Sequence, residues 1–307
     1  MKNVKKEKVQ EEDVTVLTGE IHATVGEQAN LPLIPAKYIS KQDKIIRVDA
    51  DNGHWYKSDK DDTWKKSLTY ILDAGFPLSF GLKDFFQTHT KAEADELLND
   101  AGLSGSKIHH TIHLMNLGQE VSSEGFTDEQ IKFMGFFDRE LINYLRKPFS
   151  KDEDQKMKGY LQFVADFQPE MIEHERILIS DKHGFGCTLD TYSRVYIPAD
   201  KRSYKEFAGK EVKAFIDYKS GKGIYYKNEV QIVMCGVCYR EGVKKTRGDI
   251  HAILHLGVNK AGYRFKIVKD PKKAVQDFII VKKVSEIEKS ETEPKFYEFE
   301  AIYKLKK

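Results

Sequence analysis

Residues 214–219 read Ala214-Phe-Ile-Asp217-Tyr-Lys219, and the chain then turns through Ser220-Gly-Lys-Gly223. The apolar and aromatic run before Asp217, stopped by turn residues, predicts a strand over Val212–Lys219. Side chains alternate along a strand, so Asp217 and Lys219 share one face, two residues apart. A carboxylate beside an ammonium suits metal-assisted phosphodiester hydrolysis. The carboxylate holds a divalent cation, while the lysine orients or activates water and offsets charge developing on phosphorus. Alone, the D-x-K pattern is weak: 32% of the residues are charged, and a solvated strand face yields the same spacing.

Its neighbours strengthen it. Upstream, Phe185-Gly-Cys-Thr-Leu-Asp190 places a second carboxylate near a strand that begins after a glycine turn. Glu175 stands on the preceding strand, 190 − 175 = 15 residues before Asp190. Downstream, Gln231 begins an apolar helix read over Asn228–Arg240. Far upstream, Gly105-Ser-Lys-Ile-His109 puts an imidazole at the start of a helix.

In this order the segments resemble the PD-(D/E)XK nuclease superfamily, specifically its RecB-like exonuclease branch, common in bacteriophages. The matching stretches are GSKIH at 105–109, HERILIS at 174–180, CTLD at 187–190, FIDYKSGK at 215–222 and EVQIVMC at 229–235. SLTYIL at 67–72 and AILHLG at 252–257 extend the likeness, which covers about residues 62–284. The resemblance implies an α/β (α+β) fold: a restriction-endonuclease-like core with a mixed sheet flanked by helices, and a helical N-terminal part. It implies His109, Asp190 and Asp217 as side-chain metal ligands, with the Tyr218 carbonyl completing the site. Lys219 is then the catalytic lysine and Glu175 a supporting acid. Gln231 orients the lysine or a substrate phosphate. Such a donor set favours Mg²⁺ or Mn²⁺, and its imidazole leans toward Mn²⁺. Two positions depart from the family pattern: Cys187 stands for a glycine and Cys235 for a tyrosine. Neither change removes an implied ligand.

The rest of the chain divides around this core. Residues 1–38 read as a flexible arm, with two prolines in LPLIPAKY. KIIRVD and HWYK flank Asp51-Asn52-Gly53, which predicts a hairpin over 39–61. A helical period from Asp62 links Trp64, Leu68, Ile71 and Leu72. Capping boxes at Thr90–Glu93 and Thr127–Gln130 open two more helices, the first broken near Gly102 and Gly105 and the second running to about Tyr144. A further helix spans Lys151–Phe167 and stops before Pro169. Strands follow at Ile172–Ser180, Gly186–Ile197, HAILHL and YRFKIV, and a closing helix begins near Pro271. The nuclease domain is thus expected over 62–290, helical over 62–168 and catalytic over 169–290, with a tail at 291–307.

Other patterns carry plainer readings. His109 and His113 share a helix face, but His110 stands where an H-E-x-x-H protease needs glutamate. His110 and His113 therefore read as packing or polar-face residues. Cys235-Gly-Val-Cys238 lies inside an apolar helix rather than at its start, which favours buried packing over redox chemistry. An iron–sulfur cluster needs four cysteines, and the chain has three. Ser220-Gly-Lys-Gly223 is not a Walker loop. Lys222, Tyr225, Lys227 and Arg240, with Tyr226, Tyr239, Lys244, Lys245 and Arg247, suit a strand-tracking basic groove with stacking rings, and equally suit a solvated helix over core tyrosines. Lys201, Arg202 and Lys205 fall in a hairpin loop, within reach of phosphates or water.

Composition bounds the function without naming it. Fifty Lys+Arg against 48 Asp+Glu give +2, so no bulk charge marks a nucleic-acid or membrane partner. Apolar runs such as Gln231–Tyr239 stop far short of the roughly 18 residues a membrane helix needs. The charged N-terminus lacks a secretion signal, and three cysteines fit a reducing compartment, so a cytoplasmic protein of a bacterium or phage-infected cell is expected. The expected activity is a DNA exonuclease acting on linear single- or double-stranded DNA, as a homo-oligomer or with a phage recombination or replication partner. The alternatives are a catalytically idle binder of nucleic acid or protein, and an endonuclease of the same fold.

Overall fold

A computed structural model describes residues 38–42, 44–50, 52–135, 138–200, 204–242, 249–288 and 291–295. The expected arm at 1–37, the loop cations Lys201 and Arg202, the cations Lys244, Lys245 and Arg247, and most of the tail lie outside the described residues.

The N-terminal sheet is larger than a hairpin. Strands β1 (Tyr38–Gln42), β2 (Ile45–Ala50), β3 (Gly53–Ser58) and β4 (Asp61–Lys66) form an antiparallel meander in sequence order. The turn falls where Asn-Gly places it: Ala50 pairs with Gly53, whose φ of 114° a side chain would strain. The helical period from Asp62 is corrected. Trp64 lies on β4, and the helix starts at Leu68 after Ser67 caps it by accepting from the Tyr70 N–H at 3.0 Å. Trp64 and Leu68 are four residues apart by coincidence, and pairing of Lys65 and Lys66 with β3 decides the strand.

After α1 (Leu68–Gly75), an unforeseen α2 (Phe80–Thr88) carries no buried residue. The break expected near Gly102 and Gly105 does not occur. Helix α3 (Lys91–Asn116) runs 26 residues straight through both. Each glycine costs a helix about 1 kcal/mol, and burial of Ile108, Ile112 and Leu114 outweighs that. A side chain at Gly105 would touch Ser220, so the helix passes close to the turn after the D-x-K strand. The stretch expected to reach Tyr144 is two helices, α4 (Asp128–Met134) and α5 (Arg139–Leu145). Left-handed Gly135 ends the first, and Asp138 caps the second. Helix α6 (Lys151–Phe167) keeps its expected bounds and adds a capping box at Ser150–Glu153.

The core sheet runs β5 (Glu170–Ser180), β6 (Phe185–Ile197), β7 (Lys210–Lys219), β8 (Ile250–Leu256) and β9 (Tyr263–Ile267), adjacent in that order. Only β7 and β8 pair in parallel. Parallel neighbours require a crossover, and α7 (Tyr226–Gly242) provides it. Helix α8 (Pro271–Glu288) closes the fold. Every residue of β8 is buried, as befits a strand covered on both faces. On one face Phe215, Leu189 and Ile253 pack with Val230 and Met234 of α7, Leu68 of α1 and Phe278 of α8. On the other, Ile216, Tyr218 and Leu254 pack with Ile108 of α3 and Phe163 of α6. The fold is therefore mixed α/β, with a five-stranded mixed sheet between helical layers and a separate antiparallel sheet.

That second sheet docks beside β5 and β6. Ser67 bridges Gly186, and the Ile177 N–H donates to Gln42 Oε1 at 2.7 Å. A Cβ on Gly186 would sit 2.1 Å from the Tyr56 ring, so the contact depends on glycine there.

Candidate metal centre

The site forms where two strands part. Pairing of β6 with β7 ends at Thr191↔Ile216, and the next residues along, Asp190 and Asp217, stand at the divergence. The Tyr218 N–H, lacking a ladder partner there, donates to Asp190 Oδ2 at 2.8 Å. Lys219 sits against its strand-mate Asp217, with Nζ 2.9 Å from Oδ1 and 2.7 Å from Oδ2, as the alternation argument requires. Helix α3 brings His109 from the other side. Its Nε2 lies 3.2 Å from the Tyr218 carbonyl and its Nδ1 3.6 Å from Asp190 Oδ2.

Glu175 completes the group through an unusual backbone. Its φ is 48°, in the left-handed region, while His174 and Arg176 on either side keep their pairings with Thr191 and Leu189. A non-glycine residue held there costs on the order of 1–3 kcal/mol, and such strain concentrates at functional sites. One donor atom each from His109, Glu175 and Asp190 lies within 4.8 Å of the others, a group able to hold a metal ion. Asp217 is engaged by Lys219 instead of joining that trio.

Electrostatics agree with a cation-seeking site. Burial, then the Asp190 charge, pushes the Glu175 carboxyl up to about 8. Burial raises Asp190 as well, against the pull of Lys219, the Tyr218 N–H and Arg47. Burial lifts Asp217 to about 6 despite Lys219. Burial works against the Lys219 ammonium too, yet Asp217 and Asp190 outweigh it and hold the lysine protonated. Burial and then the Lys219 charge lower His109 to about 4, leaving a neutral imidazole, the form that ligates metals. Three carboxyls crowded out of water repel one another, and a divalent ion relieves that repulsion. Two carboxylates and one imidazole form a donor set able to hold a metal ion.

A cavity of about 610 Å³ opens onto the trio and is also lined by Gln231 of α7. His110 and His113, read as packing or polar-face residues, line this cavity as well, and His113 Nδ1 lies 2.8 Å from His174 Nδ1. Cys187 lies in the cavity wall, while Cys235 and Cys238 of α7 are buried in the core. Of the residues that suited either a basic groove or a solvated helix over core tyrosines, two are engaged elsewhere. Arg240 packs over the Phe215 ring beside His251, and Tyr239 is 2% exposed, donating to Glu173 at 2.9 Å. Core burial claims Tyr239, while Arg240 is half-buried. Tyr225 and Lys222 remain exposed, and Lys227 pairs with Asp73 at 2.7 Å.

Sequence reasoning missed the opposite wall, which β2 and β3 supply. Arg47 reaches Thr188 Oγ1 at 3.0 Å and pairs with Asp49, and the Tyr56 hydroxyl lies 3.2 Å from the same Thr188 oxygen. Arg47 and Asp49 share a strand face at the i, i+2 spacing that singled out Asp217 and Lys219; that was the available signal. Among the described residues no helix is long and apolar enough to cross a membrane. No protein-family model matches the chain, and no curated protein matches it either.

Proposed function

We propose that this chain is a divalent-metal-dependent deoxyribonuclease with a PD-(D/E)XK core, acting as an exonuclease on linear DNA. The observation that carries the reading is the convergence of His109, Glu175 and Asp190 beside the Asp217–Lys219 pair, from four separate elements. These elements are separate in sequence, and packing of an ordinary core would not gather one buried and two half-buried carboxyls with an ammonium at one strand divergence.

His109, Glu175 and Asp190 would hold Mg²⁺ or Mn²⁺, with Asp217 and the Tyr218 carbonyl at its margin. When bound, the metal supplies Lewis-acid polarisation of the phosphate and a nucleophile at neutral pH. Lys219 stays protonated through its two acidic neighbours and stabilises charge developing on phosphorus. Asp217 fixes the direction of that ammonium. His109 remains neutral and keeps a lone pair for the site. Gln231 faces the cavity from the first turns of α7 and orients a phosphate oxygen.

The purified chain, given Mn²⁺ and then Mg²⁺, is expected to release nucleotides from end-labelled linear DNA, and a chelator is expected to stop it. Linear single- and double-stranded DNA left intact by protein that binds it would sink the enzyme reading and leave a nucleic-acid-binding protein of this fold.

A further inference from the structure

The carboxylates Asp49, Asp138, Glu175 and Asp190 all line the cavity, and among the described lining residues Arg47 is the one lysine or arginine. Lys219 is not among them. A nucleic-acid strand approaching such a cavity brings its own negative charge, so its phosphates need a cation facing them besides the metal. Arg47 is placed to be that cation. Its Nε and Nη2 rest on Asp49 at 3.0 and 3.2 Å, and its Nη1 on Thr188 Oγ1 at 3.0 Å, two residues before Asp190. The Tyr56–Gly186 contact and the Ser67–Gly186 bridge fix β2 and β3 against β6, so the guanidinium is held relative to the acids. Its charge is felt at both Glu175 and Asp190. A planar guanidinium matches two phosphate oxygens at once, which an ammonium does not.

We propose that the N-terminal sheet is part of the active site and that Arg47 is its phosphate-binding residue, contacting the backbone of the bound strand from the β2 wall of the cavity. The inference rests on the nuclease reading and extends it to the element that the motifs do not cover.

The test uses the full chain carrying Lys219→Ala, to prevent cleavage. Binding of labelled single-stranded and duplex oligonucleotides is measured with Mn²⁺ over a salt series, with and without Arg47→Ala or Arg47→Lys. Arg47→Ala is expected to weaken binding about tenfold and to reduce the slope of log affinity against log salt by about one, the signature of one lost phosphate contact. Arg47→Lys should keep the slope while binding less tightly. Calorimetry should show that Arg47→Ala still binds Mn²⁺. Unchanged affinity and slope in Arg47→Ala would overturn the assignment. So would loss of Mn²⁺ binding, since Arg47 would then serve only to hold the acids. If the protein with Lys219 intact releases no nucleotides but the slope still falls with Arg47→Ala, the nuclease reading fails and the phosphate contact stands.

Discussion

His109 Nε2 lies 3.2 Å from the carbonyl oxygen of Tyr218. A carbonyl only accepts, so Nε2 carries the imidazole proton and Nδ1 keeps its lone pair on the side of Asp190 Oδ2, 3.6 Å away. One hydrogen bond thus fixes the tautomer and joins the long helix to the D-x-K strand. His109→Ala is expected to weaken Mn²⁺ binding by more than the roughly 10–100-fold that loss of an outer partner alone produces. Calorimetry on the two proteins reads it, and equal affinities would remove His109 from the site.

Protonation of the acids couples the site to pH. Glu175 moves from an ordinary 4.5 to about 8 on folding, so between these values the folded protein holds a proton the unfolded chain has released. Stability contributed by this group is full below pH 4.5 and is lost as pH rises toward 8. His109 acts in the opposite sense, but only between about 4 and 6.5. From pH 6.5 to 8 in chelator, thermal stability should therefore decline, and Glu175→Gln should flatten the decline. Added Mn²⁺ needs the ionised carboxylate, so its stabilising effect should grow over the same range, with protons released on binding. A melting temperature that rises with pH in chelator would contradict the buried, protonated Glu175.

Docking of the N-terminal sheet can be broken at one atom. A methyl on Gly186 would lie 2.1 Å from the Tyr56 ring, and overpacking of this kind costs about 1–3 kcal/mol. Gly186→Ala should lower the unfolding free energy by that amount and weaken oligonucleotide binding along with it.

Helix α3 also carries a buried lysine. Lys107 is fully buried, and its Nζ lies 2.6 Å from the Lys147 carbonyl, 3.2 Å from that of Pro148 and 3.8 Å from Glu153 Oε2. Glu153→Ala leaves this ammonium without its carboxylate and should cost about 3–5 kcal/mol in denaturant unfolding. Because Lys107 is two residues from His109, a smaller loss would mean that the helix is anchored elsewhere.

What could be read from the sequence followed from local rules. Alternation placed Asp217 and Lys219 side by side, Asn-Gly placed a hairpin turn, and the run to Phe167 before Pro169 placed a helix. Where local signals misled, long-range packing decided. Gly102 and Gly105 look like breakers, yet the helix continues because its apolar face is buried on the sheet and Gly105 passes close to Ser220. Trp64 fits a helical step until β3 claims its strand. The left-handed backbone at Glu175 has no local signature, and the reach of Arg47 to Thr188 exists only once the two sheets meet. The pattern left Tyr239 equally at home in a surface groove or in the core, and the buried middle of α7 takes it into the core.

The most direct measurement compares the protein with its Lys219→Ala variant on end-labelled linear DNA and on closed circular DNA, with Mn²⁺ present. Release of nucleotides from the linear form alone is expected, with the variant slowed on the order of 10²–10³-fold, the loss typical when one charge-stabilising group is removed. Cutting of circles that depends on Lys219 would keep the site and make it an endonuclease. Linear DNA degraded equally by both proteins would contradict the central claim, because the ammonium beside Asp217 would then have no part in the chemistry.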